Sequence, residues 1–118
     1  MVCCLLVSAV GCGSGEFKLD PEANYFVQAQ AALEQGTIDE ALDLLSKSIE
    51  VKPQAYAHYQ RARIYVDREE DSLAIDDCKR GLELEPENRD LQWLLGELQK
   101  PKNSRFKGKF KDPPGASK

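Results

Sequence analysis

The 118-residue sequence is poor in the residues that chemistry usually needs. It holds one histidine (His58), one tryptophan (Trp93) and one methionine. Three of its four cysteines, Cys3, Cys4 and Cys12, crowd the first dozen residues, and Cys78 stands alone. That spacing excludes a disulfide framework, and no Cys or His pair sits at ligand spacing, so neither a metal site nor another cofactor is expected. No apolar run reaches the roughly 20 residues needed to span a bilayer. Gly11, Gly13 and Gly15 follow no strand and lead to no lysine in a phosphate-loop arrangement. With no acid and base pair or nucleophile constellation either, no enzyme is expected.

What is present is a pattern written twice. At a 33-residue offset Ala29 matches Ala62, Ala41 matches Ala74, Asp43 matches Asp76, Glu50 matches Glu83 and Pro53 matches Pro86. Conservative pairs fill the intervals: Tyr25 over His58, Leu33 over Val66, Leu42 over Ile75 and Ile49 over Leu82. A period of this length belongs to stacked supersecondary units that cannot bury their apolar faces alone.

The local signals predict helix pairs. Asp20-Pro21-Glu22 combines a capping residue, proline at the first helical position and an acid in the first turn, opening a helix that Gly36 ends. Thr37-Ile38-Asp39-Glu40 reads as a capping box, with the Thr37 hydroxyl accepting from the Glu40 amide. The second helix closes near Val51 or Lys52, because the residue before Pro53 is biased away from helix. In the second unit Arg68-Glu69-Glu70-Asp71 has no glycine, which predicts a longer first helix with Asp71 capping the next. A half unit follows with Leu91, Trp93, Leu94, Leu95 and Leu98 on its apolar face. Gly96 lies 34 residues after Ala62, and Pro101 is the stop.

Gly36-Thr37-Ile38-Asp39-Glu40-Ala41 and the terminal Pro53 resemble the signature of the tetratricopeptide repeat family. The resemblance implies an all-α fold, a right-handed solenoid of antiparallel helix pairs with about two and a half units and five helices. Residues 22–54 form the first repeat, 55–88 the second and 89–100 a capping helix, within a repeat domain over 20–100. It also implies that Arg61 pairs with Asp77, and that His58 and Cys78 take packing positions. First helices line a concave groove in this family, which here would carry Phe26, Gln30, Leu33, Glu34, Tyr56, Tyr59, Arg63, Asp67, Trp93 and Glu97. Aromatics with an arginine suit a peptide or helix of a protein partner. Phe26, Gln30, Gln60, Asp90 and Leu94 stand where some members clamp a carboxylate, so that mode is not implied.

The ends differ from the body. Met1 to Val10 is apolar apart from Ser8 and leads through Gly11 to Cys12, and residues 12–19 form a tether. The small residues before Cys12 and the glycines after it resemble the lipobox of bacterial lipoproteins. That implies a signal-like segment over 1–11, cleavage before Cys12, acylation of its sulfur and a lipid anchor in the bacterial cell envelope. Without the resemblance the same run is an apolar N-terminus with Cys12 an ordinary thiol.

Beyond residue 99 there are seven basic residues and one acid, so in a chain of net charge −4 the first 99 residues carry −10. This tail, 101–118, interleaves Arg105, Phe106, Lys107, Lys109, Phe110 and Lys111. It is expected to be solvated, to meet nucleic acid or anionic headgroups, or to fold back on the acidic body of its own or another chain. Export of Cys12 would make nucleic acid an improbable partner. The expected function is a lipid-anchored adaptor that binds a protein partner, with a homodimer through the leucine-rich last helix also open. The alternative is a soluble cytosolic repeat protein whose basic tail contacts nucleic acid or an acidic partner.

Overall fold

The computed structural model describes residues 18–106. Five α-helices follow one another: α1 (Pro21–Gln35), α2 (Ile38–Val51), α3 (Ala55–Asp67), α4 (Asp71–Leu84) and α5 (Arg89–Leu98). A 3-10 turn, Lys102–Ser104, comes after them, and there is no strand among the described residues. The helices α1 and α2 form one antiparallel pair and α3 and α4 a second, α2 packs on α3, and α5 closes the stack against α4. The fold is therefore all-α, with two helix pairs and a single covering helix, as the repeat pattern predicts.

Small residues set the close approach within each pair. Ala29 and Ala41 are fully buried in the first, Ala62 and Ala74 in the second. One core cluster gathers Ala29, Ala32, Ala41, Leu44 and Leu45, together with Ile64 from α3. A second gathers Ala55, Tyr59, Ala62, Ala74 and Cys78 with Leu91, Leu94 and Leu98 of α5. Because α3 buries Ile64 on one side and Tyr59 and Ala62 on the other, it holds the two clusters together. Leu91, Leu94 and Leu98 recur at helical spacing and are at most 2% exposed, so α5 supplies three of the eight buried residues of the second cluster.

The helix ends correct three sequence expectations. Asp20 precedes Pro21 as foreseen, but its side chain makes no capping bond. Thr37 forms no capping box: its hydroxyl turns back and donates to the Ala32 carbonyl at 3.1 Å, a second bond on an oxygen that also accepts the Thr37 amide. Asp71 does not cap α4; it is the first helical residue, after Glu70. A side-chain cap does form at α5, where Oδ1 of Asn88 accepts from the Leu91 amide at 3.0 Å.

The joint without a glycine copies the one that has it. In the first pair the amides of Gly36 and Thr37 donate to the carbonyls of Leu33 and Ala32, a Schellman ending with Gly36 in the left-handed region at φ 83°. Thirty-three residues on, the amides of Glu69 and Glu70 donate to Val66 and Tyr65, and Glu69 takes φ 59°. So α3 is not lengthened. An L-residue in that region costs about 1–2 kcal/mol, and the greater freedom of glycine in the unfolded chain returns part of that difference. Glu69→Gly is therefore expected to stabilise the protein by about 0.5–1 kcal/mol. A higher urea midpoint at unchanged slope checks it; an unmoved midpoint would mean the joint stores no strain.

Candidate functional site

The face predicted to bind a partner begins with one stripe on α1. Glu22, Phe26 and Gln30 are spaced four apart and so lie one above another. The Phe26 ring meets the edge of Tyr56 from α3, with centroids 4.5 Å apart and planes at 85°, a favoured aromatic geometry. Burial raises the Tyr56 phenol above its ordinary value, and the negative charge of Glu22 adds to the shift. Tyr56 still keeps 37% of its surface in solvent. One turn beyond Phe26, Nε2 of Gln30 is buried with no hydrogen-bond partner among the described residues. Leu33 and Asp67 line a cleft of about 320 Å³ with Ile38, Ile64 and Arg68. Arg68 pairs with Asp39 of α2 across that joint.

Tyr59 is placed differently from expectation. It is 9% exposed and belongs to the second core cluster, because α3 has neighbours on both sides. Its ring carries the guanidinium of Arg63, 5.7 Å from the centroid, so Arg63 marks the boundary between core and surface. Trp93 is not open either. It packs on Phe106 with centroids 5.7 Å apart at 59°. Of the groove residues expected from sequence, Phe26, Gln30 and Tyr56 form one contiguous site on α1 and α3, and Trp93 belongs to another.

A polar centre lies behind this face. Asp77 on α4 is 1% exposed and accepts three hydrogen bonds. Nε and Nη2 of Arg61 reach its two oxygens at 2.8 and 2.7 Å, and Nδ1 of His58 lies 2.9 Å from Oδ1. An ionised carboxylate only accepts, so Nδ1 carries the hydrogen. Burial disfavours the charged form of Asp77, but the bonds from Arg61 and His58 outweigh it and hold the carboxyl below its ordinary value. Nη1 of Arg61 also donates to Ser46 on α2 at 3.0 Å, so one guanidinium ties together α2, α3 and α4. Beside it, burial and then the charge of Asp77 push the Cys78 thiol up to about 12. A thiol protonated at neutral pH is a poor nucleophile. The centre is built to hold helices in place.

The start of the tail is ordered on the body, the fold-back outcome among the sequence alternatives. Arg105 reaches Asp71, and the amide of Phe106 donates to Glu97. Cys12, Lys107, Lys109, Phe110 and Lys111 lie outside the described residues. Among the described residues no helix is long and apolar enough to cross a membrane, and no three His, Cys, Asp or Glu side chains are grouped to hold a metal ion.

No family model matches the sequence. Among curated proteins it is similar to the bacteriophage adsorption protein A of Escherichia coli strain K12, 43% identical over 56 residues. That stretch is 48% of this chain and 6% of the E. coli protein, so the likeness is one of a segment and the chain spans only a small part of that protein's length.

Proposed function

We propose that this protein is a non-enzymatic adaptor of the tetratricopeptide repeat type, anchored by an acylated Cys12 at the bacterial cell envelope, that holds a peptide or helix of a partner against α1 and α3. The observation that carries the reading is the Phe26–Tyr56 pair with the unpartnered Nε2 of Gln30 one turn away. Two aromatic rings offer contact area at low entropic cost. A buried amide donor without an acceptor is unfavourable by about 1–3 kcal/mol, and a backbone carbonyl of a bound peptide would remove that penalty. The anchor rests on the sequence around Cys12, and the segmental likeness to an E. coli protein fits a bacterial setting. In the alternative, a cytosolic protein with a basic binding tail, the contacts would fall to Lys107, Lys109 and Lys111, since the Arg105 guanidinium is already bonded within the fold.

One experiment in cells with two arms tests both halves. Labelled acyl chains should enter the wild type and not Cys12→Ala; label in neither would remove the anchor. Site-specific crosslinking from the wild-type face should yield a defined adduct. Phe26→Ala with Tyr56→Ala should reduce it at least about tenfold, as for a central aromatic pair. An undiminished adduct from a chain of unchanged helicity would move the interaction off this face.

A further inference from the structure

Arg105 and Phe106 fill a site whose groups all come from elsewhere in the fold. Nη1 of Arg105 donates to Asp71 Oδ2, Nη2 to the Leu98 carbonyl and Nε to the Lys100 carbonyl, each at 2.7 Å. The Leu98 carbonyl is an unsatisfied acceptor at the C-terminal end of α5, where the helix dipole favours a cation. Three acceptors arranged around a planar fork fit a guanidinium and not the point charge of a lysine. Next to it the Phe106 amide donates to Glu97 Oε2 at 2.7 Å, and its ring packs on Trp93. The Glu97 carboxyl lies below its ordinary value, through Lys100 first and the Phe106 amide second. Phe106 nevertheless sits at φ 48°, a conformation unfavourable for a bulky L-residue and held there by its surroundings.

We propose that Asp71, Trp93, Glu97 and the carbonyls of Leu98 and Lys100 form a receptor for a segment in which an arginine is followed directly by an aromatic residue, and that Arg105-Phe106 occupies it in cis until a partner segment of that chemistry displaces it. The strained Phe106 backbone makes the occupant exchangeable. A segment arriving from another molecule meets the same acceptors without the constraint of a six-residue return from Lys100. The receptor stands on α4 and α5 and does not depend on the face formed by Phe26 and Tyr56.

Trp93 is the only tryptophan in the chain and reports on the site directly. The probe is a synthetic peptide of residues 102–111, and the receptor is the full chain carrying Arg105→Ala and Phe106→Ala. Trp93 fluorescence should change saturably with this peptide. The wild type, whose own segment competes at high effective concentration, should bind it at least about tenfold more weakly. A control peptide of equal charge, with lysine for the arginine and alanine for the following phenylalanine, should give no saturable change. Should the double variant lose helicity, Arg105→Gln replaces it with the same peptides. No saturable change in a folded variant, equal binding by the wild type, or equal binding of the control peptide would each overturn the proposal.

Discussion

Asp77→Ala is expected to destabilise the protein by about 3–5 kcal/mol, the range for removing one partner of a buried charge pair. A domain of this kind has only about 5–15 kcal/mol in total. The loss is therefore a large fraction of the whole and leaves about 0–12 kcal/mol at neutral pH. The cost does not measure what the pair contributes against a hydrophobic replacement. It arises because Arg61 and His58 would keep their donors in a buried place with nothing to accept them, and because Arg61 also ties α2 to α3 through Ser46. Asp77→Asn keeps the shape and one acceptor and should cost less, about 1–3 kcal/mol. Urea denaturation followed by helicity separates the two. Equal and small losses in both would show that Arg61 and His58 find other partners.

The same carboxylate gives an acid dependence whose sign is fixed. Its folded-state value lies below the ordinary carboxylate value of about 3.9. The stabilisation is thus fully present above about pH 4 and is lost as pH falls through the lower folded-state value. Asp77→Asn has no proton to take up at this position. Below pH 4 its stability should fall less steeply than that of the wild type, so that the two curves converge in acid.

The repeat framework was open to sequence reading because it depends on local rules. Proline starts α1, the residue before Pro53 is extended, and matched alanines mark where helices touch. The pairing of Arg61 with Asp77 is what the resemblance to the repeat family implies, and the two side chains meet. The sequence predicts a packing place for His58, and it is buried, but its bond to Asp77 has no local sign. Nothing local distinguishes an imidazole that fills space from one that also donates. Glu69 is silent for a different reason: the Schellman bonds of the second joint hold a left-handed residue there although no glycine marks the place. The resemblance places Tyr59 on the concave groove, and a one-helix view cannot see that α3 is packed from both sides, which leaves Tyr59 only 9% exposed. The docking of Arg105 and Phe106 had no local sign, since Asp71 lies 34 residues away in the chain.

Gly81 was also silent in the sequence, and it sets the second large effect. It occupies the place of Ser48 in the first pair, where a buried hydroxyl donates to the Glu22 carbonyl at 2.8 Å. In the second pair a Cβ at Gly81 would lie 2.6 and 3.2 Å from the two Cδ atoms of Leu91 and 3.4 Å from His58 Cβ. The absent side chain is thus what lets α5 approach α4. Leu91 is fully buried, and Leu91→Ala is expected to cost about 2–5 kcal/mol from lost transfer and the cavity left behind. Gly81→Ala alone should cost about 1–3 kcal/mol by overpacking, less roughly 0.5–1 kcal/mol regained from helix propensity. Because the new methyl fills space that Leu91→Ala vacates, the double variant should be more stable than the sum of the single losses by about 0.5–3 kcal/mol. A denaturation cycle at neutral pH measures that coupling. Additivity within about 0.5 kcal/mol would mean that α5 shifts as a body when Leu91 is cut back, and that the covering helix is held by its other leucines and by the Arg105 contacts instead.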